Sequence, residues 1–332
     1  MMSRCAKLIW DIENDPHACH FVYCAAPRGG RNRLGAALRR LNMEAFLHQI
    51  FSGLANGCIY GSVALALVMI YQATHHINFA QGEMATFSTF IAWALVQAGW
   101  PYWGAFFATV AISFVGGLLI QRIILRPLEK APVLANVIVF IGLLLIVNAL
   151  AGWIFDHTLK SFPSPFPKDS FFATKYFTAH DVGSAGVLVC VLLALFAFFR
   201  YTPVGLAMRA AAQNPDSARL VGIRVSWMLG LGWGLAAAIG AVAGMMVAPI
   251  VFLDPNMMAG ILLYGFAAAL LGGIDNPWGA VIGGLVVGVL ENLLGAYVIG
   301  TELKLTVALV LIVATLTLKP DGLFGKKVVT RV

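Results

Sequence analysis

Nine apolar runs, near 46–70, 79–98, 103–122, 134–156, 183–200, 227–252, 259–275, 278–298 and 304–318, leave little of the chain free to build anything but membrane-crossing helices. A hydrocarbon layer about 30 Å thick takes roughly 20 apolar residues of helix, and a backbone in lipid has to satisfy its own hydrogen bonds. The 332 residues are 60% hydrophobic and 11% charged, beyond the roughly 45–50% apolar content of soluble domains. The expected fold is an all-α integral membrane protein, a polytopic bundle of eight or nine transmembrane helices. The stretch GGIDNPWG (272–279) reads as a tight turn between two helices or as the tip of a re-entrant pair.

Charge supplies the orientation. The formal net charge is +7, but the basic residues sit in short stretches between apolar runs rather than on one face, so nucleic acid is not an expected partner. QRIILRPLEKAP (121–132), residues 200–226 and the segment after Leu318 hold three, four and four Lys/Arg; WPYWG (100–104) and LDPN (253–256) hold none. Basic loops stay in the cytoplasm. Nine crossings put all three basic regions there, including the C-terminus, and place the connection 156–182 outside. Its Lys160, Lys168 and Lys175 are balanced by Asp156, Asp169 and Asp181.

Residues 1–42 differ from the rest, with seven Lys/Arg, three acids and no apolar run of signal-peptide length. One reading is an over-extended gene start, with the membrane domain spanning 43–332 from Met43-Glu44. The others are a disordered tail or a basic arm on anionic lipid. Cys5, Cys19 and Cys24 lie in this segment, and Cys58 and Cys190 inside apolar runs, so no disulfide framework or zinc spacing emerges. Cys19 and Cys24 with His17 and His20 are the nearest thing to a metal cluster, and an unstructured tail explains them more simply. No metal or cofactor is expected.

Glycines recur every four residues. Gly53, Gly57 and Gly61, then Gly230/Gly234, Gly240/Gly244, Gly279/Gly283 and Gly284/Gly288, fall on single helix faces, where small residues let backbones approach in a membrane. They indicate dense packing and do not by themselves indicate transport.

Two polar stretches carry the functional reading. In HHINFAQGEM (75–84), at a cytoplasmic-side turn into the second run, Asn78 and Gln81 have the spacing of a capping box. Glu83 suits a helix start, but a carboxylate just inside the bilayer needs a partner or a watery cavity, so Glu83 is a candidate for the translocation pathway or its gate. Asn78 and Gln81 are candidates beside it, and so are Glu291 and Asn292, for which helix-to-helix hydrogen bonding is an equal alternative. In TPVGLAMRAAAQNPDSARLVGI (202–223), Thr202-Pro203 and Asn214-Pro215 each read as a helix cap followed by proline at the first helical position, and Gly222 as a stop. Two short capped helices with Arg209, Gln213, Asp216 and Arg219 on their polar side are more order than a linker requires. They read as a docking element for a soluble partner.

INFAQGE (77–83), GLAMRAAAQNPDSARLVGI (205–223), ALLGGIDNPWGAVIGGLVVGVLEN (269–292) and LKPDGLFG (318–325) resemble the LivH-type permeases of branched-chain amino-acid ABC importers, from about residue 43 to the end. The resemblance implies a bacterial inner-membrane permease and a second permease subunit (LivM-type). It also implies two ATP-binding subunits and a periplasmic solute-binding protein. The helix-turn-helix is similar to the cytoplasmic coupling segment that sits in a groove of the ATPase, which carries a contact role onto Arg209, Ala210, Asn214, Ala218 and Gly222. One departure is Asp275, where the family has glycine in GGIGNPWG.

No Walker A pattern is present; GLFGKK (322–327) has the wrong spacing and no following Ser/Thr. The chain is therefore expected to be no enzyme and to take its power from partner ATPases. An ion-coupled secondary transporter of small polar solutes is the rival reading, but only Glu83 and Glu291 are available as intramembrane acids. A membrane-embedded enzyme lacks HExxH, GxSxG and paired-acid motifs.

Overall fold

The structure, a computed structural model, describes residues 28–74, 77–128, 131–166 and 178–325. The candidate cluster of His17, Cys19, His20 and Cys24 lies outside these residues. Backbone proximity groups the chain into two units, Met1–Gln49 and Ile50–Val332. In the first, residues 28–49 are helical. The second holds the rest of the architecture.

Eleven α-helices occur among the described residues: α1 Arg28–Thr74, α2 Gln81–Gln97, α3 Tyr102–Ile120, α4 Val133–Phe155, α5 Ala179–Tyr201, α6 Pro203–Gln213, α7 Pro215–Leu220, α8 Val225–Val251, α9 Met257–Gly272, α10 Pro277–Leu294 and α11 Lys304–Leu318. α3 continues through a wider turn, Gln121–Leu125, and α10 through another, Gly295–Ile299. Starts are marked by rigid or capping residues. Proline precedes α3 and α4, and Thr178 and Asp181 close a capping box on α5.

Among the described residues six helices are long and apolar enough to cross a membrane: Met43–Gln72, Tyr102–Leu128, Leu134–Phe155, Ala179–Tyr201, Val225–Val251 and Pro277–Ile299. The other three apolar runs form α2, α9 and α11, of 17, 16 and 15 residues, short of the roughly 20 that a full crossing takes. Their shortness has a local cause. Gln81, the first residue of α2, bonds the Ala236 carbonyl, eleven residues into α8 and so about 16 Å from its start. Lys304, the first residue of α11, bonds Asn292 in the last turn of α10, before the wider turn Gly295–Ile299. These helices begin inside the bundle because the chain first re-enters it.

Long and short helices are arranged in two matching triplets. In α1–α2–α3 and in α8–α9–α10 a short helix stands between two long ones, and the triplets interlock. α3 packs on α8 and α2 on α8, while α10 and α9 both pack on α1. The α1–α10 contact is nearly backbone to backbone: a Cβ on Gly57 would lie 2.7 Å from Leu285 Cα, and one on Gly53 2.7 Å from Val289 Cα. Gly61, Gly284 and Gly288 lie in the same seam, and Gly283 abuts Ala268 of α9. On the other side Gly234 of α8 receives Phe114 of α3.

α2 rises parallel to α4, with Glu83 beside Asn148 and Phe90 stacked on Phe155 at 4.8 Å. α9 runs the opposite way, so the N-termini of α2 and α9 meet within the bundle: Gly82 lies against Met258 and Leu262. One end of the bundle gathers the end of α1, where Gln72 bonds the Asp275 carbonyl, with α6, α7 and the turn 273–276. Toward the opposite end Lys160 and Leu253 form an isolated antiparallel bridge, and Phe252 turns the chain back inward at a φ of 64°, an uncommon conformation for a bulky residue.

Candidate functional site

The turn before α2 departs from its sequence reading. Asn78 and Gln81 are not a capping box on a surface turn; both are buried, at 0% and 1% exposure. Ala80 precedes the helix without a side-chain cap. Asn78 Oδ1 instead accepts from the Ala80 amide at 3.0 Å, an Asx turn, and Gln81 Nε2 donates to the Ala236 carbonyl at 3.0 Å. The interior gives Gln81 a backbone partner on a neighbouring helix, with Gly240 leaving room for its amide, and Asn78 one within its own turn, so a surface cap is not needed.

Glu83 lies in the first turn of α2 and is 6% exposed. Asn148 Nδ2, from the second half of α4, donates to Glu83 Oε2 at 3.0 Å. The same amide lies 3.2 Å from the Pro255 carbonyl and 3.0 Å from Asn256 Oδ1, at the entry to α9. Two N–H groups thus face three acceptors. The site joins α2, α4 and the start of α9 where two helix N-termini converge, an arrangement that places positive dipole ends around a carboxylate. Among the described residues no lysine or arginine pairs with Glu83. Sequence reasoning missed Asn148 and Asn256. The available signal for Asn148 was a lone amide in an otherwise apolar run, IVNALAG.

Glu291 and Asn292 of α10 have different surroundings. Tyr60 of α1 donates to Glu291 Oε2 at 2.8 Å while its ring stacks on Tyr264 of α9 at 4.6 Å. Lys304 Nζ lies 3.7 Å from Glu291 Oε1 and donates to Asn292 Oδ1 at 3.0 Å. Four helices are tied together by one charge-compensated network.

The helix-turn-helix forms with both caps in place. Thr202 Oγ1 accepts from Gly205 N and Asn214 Oδ1 from Ser217 N, each at 3.0 Å, and Gly222 ends the unit at a φ of 85°. Gly205, Met208 and Ala211 face inward, and Ala218 packs with Ala211 and Val225. Ala218 therefore joins the two helices to α8 rather than presenting a surface, and Ala210 is half-buried. Arg209, Asn214 and Gly222 are exposed. So are three apolar residues that the sequence reading did not single out, Leu206, Leu220 and Val221, the last two 89% and 76% exposed. Arg209 also lines a cavity of about 510 Å³ with Gln72, Gln213, Asp275 and Trp278, and Asp275 itself is exposed there.

An all-helical, multi-pass membrane protein with polar clusters sealed inside its bundle is what these features define. A family model described as "Branched-chain amino acid transport system / permease component" matches residues 49–316, and the chain belongs to that family. It is 31% identical over 304 residues to the "High-affinity branched-chain amino acid transport system permease protein LivH" of Escherichia coli (strain K12), covering 86% of this chain and 98% of that one. The corresponding permease protein BraD of Pseudomonas aeruginosa is 28% identical with the same coverage. A solved chain from the PsaBC complex of Streptococcus pneumoniae with Fab overlaps 82% of this chain and 92% of its own, at a TM-score of 0.46 and 15% identity. As a permease component, the chain is one part of a transport system.

Proposed function

We propose that this chain is the permease subunit of an ATP-driven importer in a bacterial inner membrane, passing branched-chain or related amino acids inward by alternating access. The observation that carries the reading is the capped helix pair, which offers Arg209, Leu220 and Val221 outward at the basic end of the bundle. That end is cytoplasmic in this account, in agreement with its arginines, and the C-terminus lies on the same side. The partners are a second, related permease, two ATP-binding subunits and a solute-binding protein on the opposite face. ATP binding closes the motor subunits, the docked α6–α7 pair moves with them, and the interlocked triplets tilt as rigid bodies.

Glu83 is the group that meets the cargo or its gate. An α-ammonium group is the charge it lacks, and a cargo that draws the carboxylate away releases the Asn148 amide to Pro255 and Asn256. The α2–α9 junction then responds to occupancy. Glu291 and Asn292 serve as the fixed brace of the bundle.

The test is purification of the chain with its co-encoded neighbours, followed by leucine uptake in proteoliposomes. An ATP-binding protein should co-elute and uptake should require ATP. Arg209→Glu should lower both co-elution and uptake while membrane insertion is unchanged. Uptake driven by a proton or sodium gradient without a bound ATPase would replace this reading with the secondary transporter.

A further inference from the structure

The wider turn that ends α3 and the start of α8 enclose a second cavity of about 510 Å³, outside both polar clusters. Arg122, Arg126, Arg219 and Arg224 line it, together with Gln121, Ser226 and Trp227, and no carboxylate lines it among the described residues. Asp216 answers Arg219 at 3.2 Å. For Arg122, Arg126 and Arg224 no ion pair occurs among the described residues. Four guanidinium groups converging on one hollow repel each other unless an anion joins them.

The positive-inside rule explains why arginines sit at this end of the bundle, but it asks only that they reach water. It does not explain a shared cavity with an apolar wall of Leu118, Ile223, Val225 and Trp227. Next in sequence to the lining residues Leu118 and Arg122, Leu119 and Ile123 are 46% and 68% exposed. Trp227 is 44% exposed and carries the Arg122 guanidinium 5.2 Å from its ring centroid. An indole holding an arginine at the end of an apolar helix is the pattern of a membrane interface. α8 starts in the cavity, so its positive dipole end adds to the same field.

We propose that this cavity binds the phosphate of an anionic phospholipid headgroup, with the acyl chains lying along Leu119 and Ile123. The guanidinium groups take the phosphate oxygens by paired N–H donation. A lipid seated there links the end of α3 to α8 and to α7, the second helix of the docking pair. The inference requires only that the protein sits in a membrane, not that ATP drives it.

The experiment uses the full-length chain with whatever subunits it retains, extracted from nanodiscs of phosphatidylglycerol and phosphatidylcholine in equal parts, with bound lipid counted by native mass spectrometry. Phosphatidylglycerol should be retained in preference, and the preference should fall roughly fivefold for each arginine removed among Arg122→Gln, Arg126→Gln and Arg224→Gln. Arg200→Gln, outside the cavity, should leave it unchanged. Equal retention by wild type and triple variant overturns the proposal. Should the triple variant fail to fold, Arg126→Gln alone and the salt dependence of the wild type decide, and retention indifferent to both overturns it as well. Complete displacement by inorganic phosphate would make this a soluble-anion site. A cross-link from Ile123 to a co-purified subunit, with no lipid bound, would make it a protein-docking site.

Discussion

Glu83 and Glu291 are both carboxylates sealed in the bundle, 6% and 3% exposed, yet their surroundings are opposites. Glu291 has a lysine, a phenol and three other helices arranged around it, so its charge is compensated and its position is held. Glu83 has one amide, itself divided among three acceptors, at the meeting of two helix starts. Burial of a charge costs several kcal/mol unless it is paired. A membrane protein keeps an under-paired one where it has something to bind or move. On the proposed function that difference separates a brace from a working group, although in the sequence both are lone acids in apolar runs.

The comparison can be broken by substitution. Glu291→Gln should have the largest effect on stability, about 3 kcal/mol, because it leaves Lys304 without its counter-charge. The loss should appear as a lower melting temperature in detergent, and replacing Lys304 by methionine in the same chain should recover part of it. Tyr60→Phe should follow at about 1.5–2 kcal/mol, the loss of a hydrogen bond to a charged acceptor. Glu83→Gln should be smallest on that scale, under about 1 kcal/mol, because glutamine still accepts from Asn148. The same change should lower uptake about tenfold, equivalent to about 1.4 kcal/mol in the transport barrier. Equal melting losses at the two positions, or normal uptake by Glu83→Gln, would erase the distinction.

Most of the architecture was legible from residue types. Nine apolar runs of 15 or more residues in one chain cannot all sit in water, and within lipid a helix is the only open-chain solution, so the elements and their approximate ends followed from the hydropathy pattern. The caps at Thr202 and Asn214 and the stop at Gly222 were equally readable, since each acts on its own backbone within three residues. The glycine spacing located the α1–α10 seam without naming the partner.

Depth and partnership were not legible. An apolar run looks the same whether its helix starts at the surface or mid-bundle, so the interior starts of α2, α9 and α11 and the burial of Asn78 and Gln81 came only from the tertiary fold. The pairing of Glu83 with Asn148 spans 65 residues, and that of Tyr60 with Glu291 spans 231. No local rule connects such positions. Sequence by itself determined that this chain is a helical membrane protein with a capped polar handle, because lipid and backbone chemistry act residue by residue. Which buried acid gains a counter-charge and which is held by an amide alone was decided by packing, because a charge pair depends on where other helices bring their side chains.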